Sequence, residues 1–412
     1  MTATIAVRPE PQSVARDGLG AWCGWVMVGA AGLIPLLGWL SPLGFAPLLP
    51  LIGLLCLPAV RMTDEDRPLL IVLLGALVWG AVSTTWSPFR PKSADHSVIL
   101  QLALGLPLFW SAVCGARRAE PRLNDLALKV LAWGLALFGL VQLADAFTGA
   151  RFYQSLHQTF LAPIRIDLAQ TNVGHSSYVL AVLWPAVLVG GLHRLWQLGL
   201  LAVAVTGMVL AAHLFGADAP VLAFPLSAVA MLVVWMWPRV GPRLMAAGAA
   251  TVCFVMPGLV WLVRASGDYG VLEIHAPASW AVRMSYWSHT IDWILARPVR
   301  GWGLDASRVM GPGITLHPHN GALQIWLELG LVGAVAAAVF WGLSLIRLER
   351  ERPDLPMAGV AGSAAAFILF AWINYGLWQQ WWMAVGVLIP VLAAMLSNRE
   401  AKAKSTRAPI SG

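Results

Sequence analysis

The chain has 412 residues, of which 58% are hydrophobic and 11% charged, with a formal net charge of +7. Soluble domains carry roughly 25% charged residues, so a water-soluble enzyme, a disordered tail and a secreted disulfide scaffold are all excluded. About twelve spans of about 20 residues would use about 240 residues, close to the apolar share, so the composition predicts a polytopic membrane protein.

Residues 1–21 carry Arg8, Glu10, Arg16 and Asp17 ahead of a long apolar stretch with no small-residue cleavage pattern, and read as a cytoplasmic N-terminal tail. Apolar runs then follow near 22–40, 42–60, 69–86, 97–115, 126–147, 173–192, 195–214, 219–237, 243–264, 319–346, 357–377 and 379–396, and 397–412 reads as a second cytoplasmic tail. Backbone groups in hydrocarbon need internal partners, and the alternation of a membrane barrel is absent. The expected fold is therefore an all-α transmembrane bundle over 22–396 with about 12 spans. Cys23, Cys56, Cys114 and Cys253 lie inside apolar runs without Cys-x-x-Cys spacing, which predicts small core residues and no disulfide or zinc site.

With both termini inside, 18 of the 27 Lys and Arg residues fall on the cytoplasmic side, which favours an N-in, C-in chain. The basic excess then reflects inner loops and anionic lipid, and predicts no nucleic-acid partner. Two outer loops, 148–172 and 265–316, exceed simple turns, and long connections tend to carry function. Within the second, Trp280, Met284, Trp287, Ile291 and Ile294 recur at helical spacing up to Pro298, predicting an amphipathic helix on the outer membrane surface. No internal repeat is visible.

The stretch from Leu316 into the tenth span opens with His317, His319 and Asn320. On a helix Asn320, Gln324 and Glu328 form one polar stripe, running about 12 Å into the membrane at about 1.5 Å per residue. It must face the bundle interior or a wet cavity, as a hydrogen-bonded seam or as a polar site beside an imidazole. An imidazole suits a general base, and nearby arginines would keep it unprotonated. No acid or cysteine cluster adjoins the two histidines, so no metal is expected. Arg165, Arg264, Arg283, Arg297 and Arg300 come from the two long loops or a span end and could clamp a diphosphate, or simply pair with lipid headgroups. Trp280, Trp287 and Trp302 stand where a sugar could stack, although most of the 22 tryptophans suit interfacial anchoring.

From Arg283 the chain reads RMSYWSHTIDWILARPVRGWGLDAS and then, after a short gap, HPHNGALQIWLELGLVG. This resembles the O-antigen ligase/polymerase superfamily, with its Arg, Trp, Pro-x-x-Gly-x-Gly and His-x-His-Asn…Glu-x-Gly blocks. RIDLAQTNVGHSSYVLAVLWP resembles the family's Arg…Asn segment and places Arg165 and Asn172. One departure is that the seventh span is followed by HLFGADAPVL, where Asp218 stands near the family's usual Ser-Arg pair; Arg264 or Arg300 could take over the missing arginine's place. The resemblance implies a glycosyltransferase of the bacterial inner membrane, its site facing the periplasm. It would move a glycan from undecaprenyl diphosphate to a lipid A core sugar or, as a polymerase, to another polysaccharide chain. His319 would act as base; Arg283 and Arg165 would stabilise the diphosphate; Asn320, His317, Asn172 and Gln324 would assist, with Glu328 structural. No cofactor is implied. A secondary transporter or lipid flippase is the reading from another class, and it predicts charges at the bilayer midplane and broken helices in paired positions.

Overall fold

The computed structural model describes residues 17–405. The predicted tails lie mostly outside them. In chain order the helices are α1 Gly18–Leu40, α2 Phe45–Leu55, α3 Arg67–Ser83, α4 Val98–Arg118, α5 Pro121–Thr148, α6 Arg151–Phe160, α7 Ile166–Leu183 and α8 Pro185–Val189. They continue as α9 Arg194–Leu214, α10 Asp218–Met236, α11 Val240–Ala265, α12 Tyr269–His275, α13 Ala278–Ala296, α14 Gly321–Ile346, α15 Leu355–Ile373 and α16 Gln380–Ser405. No strand occurs among the described residues. Each predicted span contains helix, although several run into non-helical residues, such as 374–377 at the end of the eleventh. Ten of these segments are long and apolar enough to cross a membrane, whereas Pro42–Leu55 and Arg67–Ser83 are shorter apolar helices.

Leu74, Leu104, Leu137, Leu232 and Leu262 are exposed on the outside of the bundle, as apolar chains facing lipid should be. Inside, small residues let helices approach. The α5–α9 crossing runs over Gly139, Ala204 and Gly207, and a methyl group on Gly207 would overlap the Gly139 carbonyl. In lipid such close backbone packing replaces the hydrophobic drive that water provides elsewhere. All four cysteines are buried and unpaired, as expected of small core residues.

Connections gather at two ends. At one, Asp66 is buried between Arg117 at 2.8 Å and Arg347 at 3.3 Å, and Arg243 pairs with Glu349 at 2.8 Å. The charge bias predicts that this end faces the cytoplasm. At the other lie the loops that follow α3, α5, α9, α11 and α15, including both long loops, and there the Ser87 hydroxyl donates to the Leu304 carbonyl at 2.9 Å.

Helix α14 is broken. Gly330 has φ 64° and ψ −157°, a conformation open only to glycine, and a Cβ there would collide with the Val299 carbonyl. The break frees backbone groups that hydrocarbon could not satisfy, and the protein supplies partners. The N–H of Trp302 donates to Leu327 O at 2.8 Å, that of Gly303 to Glu328 O at 2.7 Å, and that of Leu331 to Pro298 O at 2.9 Å. The indole of Trp79 donates to Leu329 O at 3.0 Å. The Pro298…Gly301-x-Gly303 turn is thus laid against the broken helix as a strand-like strap, an arrangement tolerated at this depth because it is enclosed by protein.

The amphipathic helix expected in the second long loop is α13. Its stripe does not lie on lipid. Ile291 and Ile294 are buried with Met284 and Trp287 in a second apolar cluster completed by Val260, Leu323 and Leu327. The facing sides of α11 and α14 offer apolar partners that exclude lipid from that stripe, so α13 is held as a roof support over the start of α14.

Candidate functional site

The site forms where the loop preceding α14, the middle of α13 and the corner between α15 and α16 converge. Asn320 begins α14, its Oδ1 accepting from the Leu323 N–H at 3.0 Å as an N-cap. The residue before it, His319, has φ 52°, an uncommon backbone state for a residue with a side chain. Its Nδ1 is 2.6 Å from the carbonyl oxygen of Asn374. A carbonyl only accepts, so Nδ1 carries the proton and the lone pair is on Nε2. His317 is buried, and its Nδ1 accepts from the His319 N–H at 3.2 Å; the two ring centroids are 4.2 Å apart.

Arg283 enters from α13. Its Nη2 donates to Asn374 Oδ1 at 2.6 Å, and its guanidinium lies 5.3 Å from the Trp280 ring centroid. Asn374 is therefore the hinge-pin of the cluster, taking the imidazole through its backbone and the guanidinium through its side chain. Two residues on, Gly376 lies against the His317 ring, where a Cβ would come within 2.8 Å of it. The Tyr286 ring is stacked 6.1 Å from that of His319, with its hydroxyl bonded to Thr315.

Electrostatics follow from burial. The His319 pKa is lowered, chiefly by desolvation; the bond to Asn374 opposes this and the Arg283 charge reinforces it. His317 is pushed down to about 3 by burial, with further depression from His319 and Arg308. Both rings are therefore neutral at pH 7. Burial also lowers the pKa of Arg283, and the guanidinium remains a cation. Among the described residues it has no carboxylate partner within ion-pair distance. A partly desolvated guanidinium without an acid is a place prepared for an anion.

The polar stripe is buried, as required. Gln324 accepts from the Leu377 N–H at 3.0 Å and donates to Glu328 at 3.1 Å. Glu328 Oε1 also accepts from the Ser307 hydroxyl at 2.7 Å, and Oε2 accepts from the Asp305 N–H at 2.8 Å and the Trp378 indole at 2.6 Å. These bonds fasten the 301–307 loop, α14 and the α15–α16 corner together beneath the histidines. Asn320 leaves its buried Nδ2 without a partner, a free donor at the edge of the site.

The remaining candidates make contacts of their own. Arg165 is exposed and pairs with Asp167 at 2.7 Å at the start of α7. Arg264 pairs with Asp292 at 2.7 Å, and Arg300 is exposed with its guanidinium 5.9 Å from the Trp86 ring. Asn172 donates to the Tyr153 hydroxyl at 3.3 Å. Trp287 donates to Pro318 O at 2.9 Å beneath the loop, and Trp302 is covered by Arg297 at 3.7 Å. Trp280 supports Arg283. Asp218 begins α10, and the Tyr178 ring is 5.0 Å from that of Tyr375. Sequence reasoning missed Asn374 and Tyr286. The Asn-Tyr-Gly between two apolar runs was the available signal for the first.

A family model described as O-antigen ligase matches residues 203–338, from within α9 to the lower half of α14. The matched segment is similar to the O-antigen ligase family and covers about a third of the chain. It contains Arg283, His317, His319, Asn320 and Glu328, while Arg165, Asn172 and Asn374 lie outside it. Proteins named "Putative polysaccharide ligase" in Rickettsia prowazekii (strain Madrid E) and Rickettsia conorii (strain ATCC VR-613 / Malish 7) are each 32% identical, over 134 and 136 residues, or 28% of this chain and 32% of theirs. A Rickettsia bellii (strain RML369-C) protein of the same name is 37% identical over 86 residues, 20% of each chain. The alignment to the first two spans about a third of their length.

Proposed function

We propose that this protein is an O-antigen ligase-type glycosyltransferase that moves a glycan from undecaprenyl diphosphate to an acceptor hydroxyl, such as a lipid A core sugar, at the periplasmic face of a bacterial inner membrane. His319 Nε2 takes the proton of the acceptor hydroxyl. The acceptor oxygen attacks the anomeric carbon from the face opposite the diphosphate, the carbon–oxygen bond to the diphosphate breaks, and the lipid diphosphate leaves with the electron pair. The anomeric centre is inverted. Arg283 holds the departing phosphate oxygens, a role that elsewhere falls to a divalent metal. Arg165, Arg264 and Arg300 would have to exchange or extend their present contacts to reach the same group. The strongest support is the pairing, through Asn374, of an imidazole whose Nε2 keeps its lone pair with a guanidinium lacking an acid among the described residues.

Purified protein supplied with a lipid-diphosphate glycan and an acceptor, with chelator present, should form a glycosidic product with inverted anomeric configuration. Transfer to lipid A core makes it a ligase, and lengthening of lipid-linked chains makes it a polymerase. Vesicle flux of the lipid-linked glycan without any transfer would sink both and leave a flippase.

The acid limb of activity should lie below the ordinary imidazole pKa of about 6.5. Activity is lost as pH falls through the depressed His319 pKa, because protonation removes the acceptor lone pair. Arg283→Gln deletes a charge that opposes protonation, so it should move that limb upward while slowing transfer roughly 10²–10³-fold. An unmoved limb in the pH profile of the variant would count against the pairing.

A further inference from the structure

Helix α3 carries a lipid-facing flank, with Ile71, Leu74, Val78 and Val82 exposed at helical spacing into its last turn. Its 17 residues reach about 25 Å from the Asp66 end, about 5 Å less than a typical hydrocarbon layer. A span that falls short is met by a thinned bilayer or by long side chains that stretch to the interface. The segment after α3 carries such side chains.

Loop 84–90 is fastened to the end of the strap: the Ser87 hydroxyl holds the Leu304 carbonyl, and the Leu304 N–H donates to the Ser83 hydroxyl at 3.0 Å. Three guanidiniums gather on this loop. Arg90 donates to the Thr84 carbonyl at 2.8 Å, Arg300 lies 5.9 Å from the Trp86 ring centroid, and Arg308 lies 5.6 Å from that of Phe89. Arg308 is matched by Asp305, whereas Arg90, Lys92 and Arg300 are exposed and have no ion-pair partner among the described residues. Segments 84–97 and 297–308 together hold five cations and two acids, Asp95 and Asp305, a net charge of +3. Guanidiniums laid against aromatic rings keep N–H edges free for phosphate oxygens.

The corner stands apart from the imidazole. Gly301 is wedged against the Glu328 carbonyl, about 12 Å along α14 from Asn320 at about 1.5 Å per residue, toward the Asp66 end. Arg90 and Arg300 therefore serve a plane nearer the bilayer than Arg283 does.

We infer that this corner is a binding surface for an anionic phospholipid, whose headgroup phosphate accepts from Arg90 and Arg300 while its acyl chains lie along the exposed flank of α3. That flank favours a lipid over a soluble phosphate, and the uncompensated charge favours an anionic headgroup over a zwitterionic one. The surface does not depend on the transferase reading.

The test is native mass spectrometry of the detergent-solubilised full chain titrated with phosphatidylglycerol or phosphatidylcholine. Wild type should bind its first phosphatidylglycerol at least about tenfold more tightly than phosphatidylcholine. At about fivefold per interfacial cation, Arg90→Gln/Arg300→Gln should erase most of that preference. Arg61→Gln/Arg352→Gln removes two exposed cations from the Asp66 end and should leave it intact. Arg300→Gln alone changes an exposed side chain and should weaken phosphatidylglycerol about fivefold, covering the case in which the double variant fails to fold. Equal binding of the two lipids by wild type, an unchanged preference in the corner variants, or an equal loss in the Asp66-end variant overturns the inference. Binding of a polyprenyl diphosphate, but not of phosphatidylglycerol, that is lost with Arg90 and Arg300 also overturns it and assigns these arginines to the substrate.

Discussion

His319→Ala should abolish glycan transfer while leaving the protein folded and inserted. The imidazole is partly exposed, its ring makes one hydrogen bond outside its own loop, to the Asn374 carbonyl, and truncation strands only that acceptor. The expected loss is roughly 10²–10⁴-fold, the usual contribution of a positioned base. His317→Ala, by contrast, removes the acceptor of the His319 N–H and loosens the loop, so it should cost less in rate and more in thermal stability. Transfer rates on purified variants, with folded yield measured alongside, separate the two. Normal transfer by His319→Ala at normal yield would remove the base from the mechanism.

Glu328→Leu should be the most damaging substitution for stability. The carboxylate is fully buried and accepts from four donors: the Asp305 N–H, the Ser307 hydroxyl, Gln324 Nε2 and the Trp378 indole. At about 1–3 kcal/mol for each stranded buried donor, the total rivals the roughly 5–15 kcal/mol that separates folded from unfolded states in ordinary domains. Glu328→Gln tests the account more sharply. All four partners are donors, so the amide must point its NH₂ at some of them, and a near-isosteric change should still lower the thermal midpoint markedly. Size-exclusion profiles of detergent-solubilised protein across a temperature ramp give the measurement, and a wild-type midpoint for Glu328→Gln would refute it.

The helical bundle was legible because apolar runs of 17 to 28 residues leave the backbone no alternative in lipid. The buried stripe through Gln324 and Glu328 was legible from spacing within one segment, and His319 and Arg283 were singled out by the family-like blocks that carry them. Four things were not. Gly330 sits in an apolar stretch that reads as uninterrupted helix, and its break is visible only through the strap that satisfies the freed carbonyls. Asn374 stands more than fifty residues from His319 and joins the site through tertiary packing alone. Arg165 was read as a diphosphate-binding cation or a partner of lipid headgroups, and Asp167 two positions on already offered it a carboxylate. The stripe of α13 was read as lipid-facing because sequence periodicity marks an apolar face without naming what covers it.

The broken α14 has a mechanical corollary. The nine residues from Gly321 to Leu329 are bolted to the 301–307 loop and to the α15–α16 corner, whereas the segment below Gly330 is tied to that assembly chiefly through Leu331. A joint at that depth lets the lower segment change its tilt as bilayers thicken or thin, at a cost of fractions of a kcal/mol per Å. The imidazole above then keeps its bearing on the guanidinium whatever lipids surround the protein.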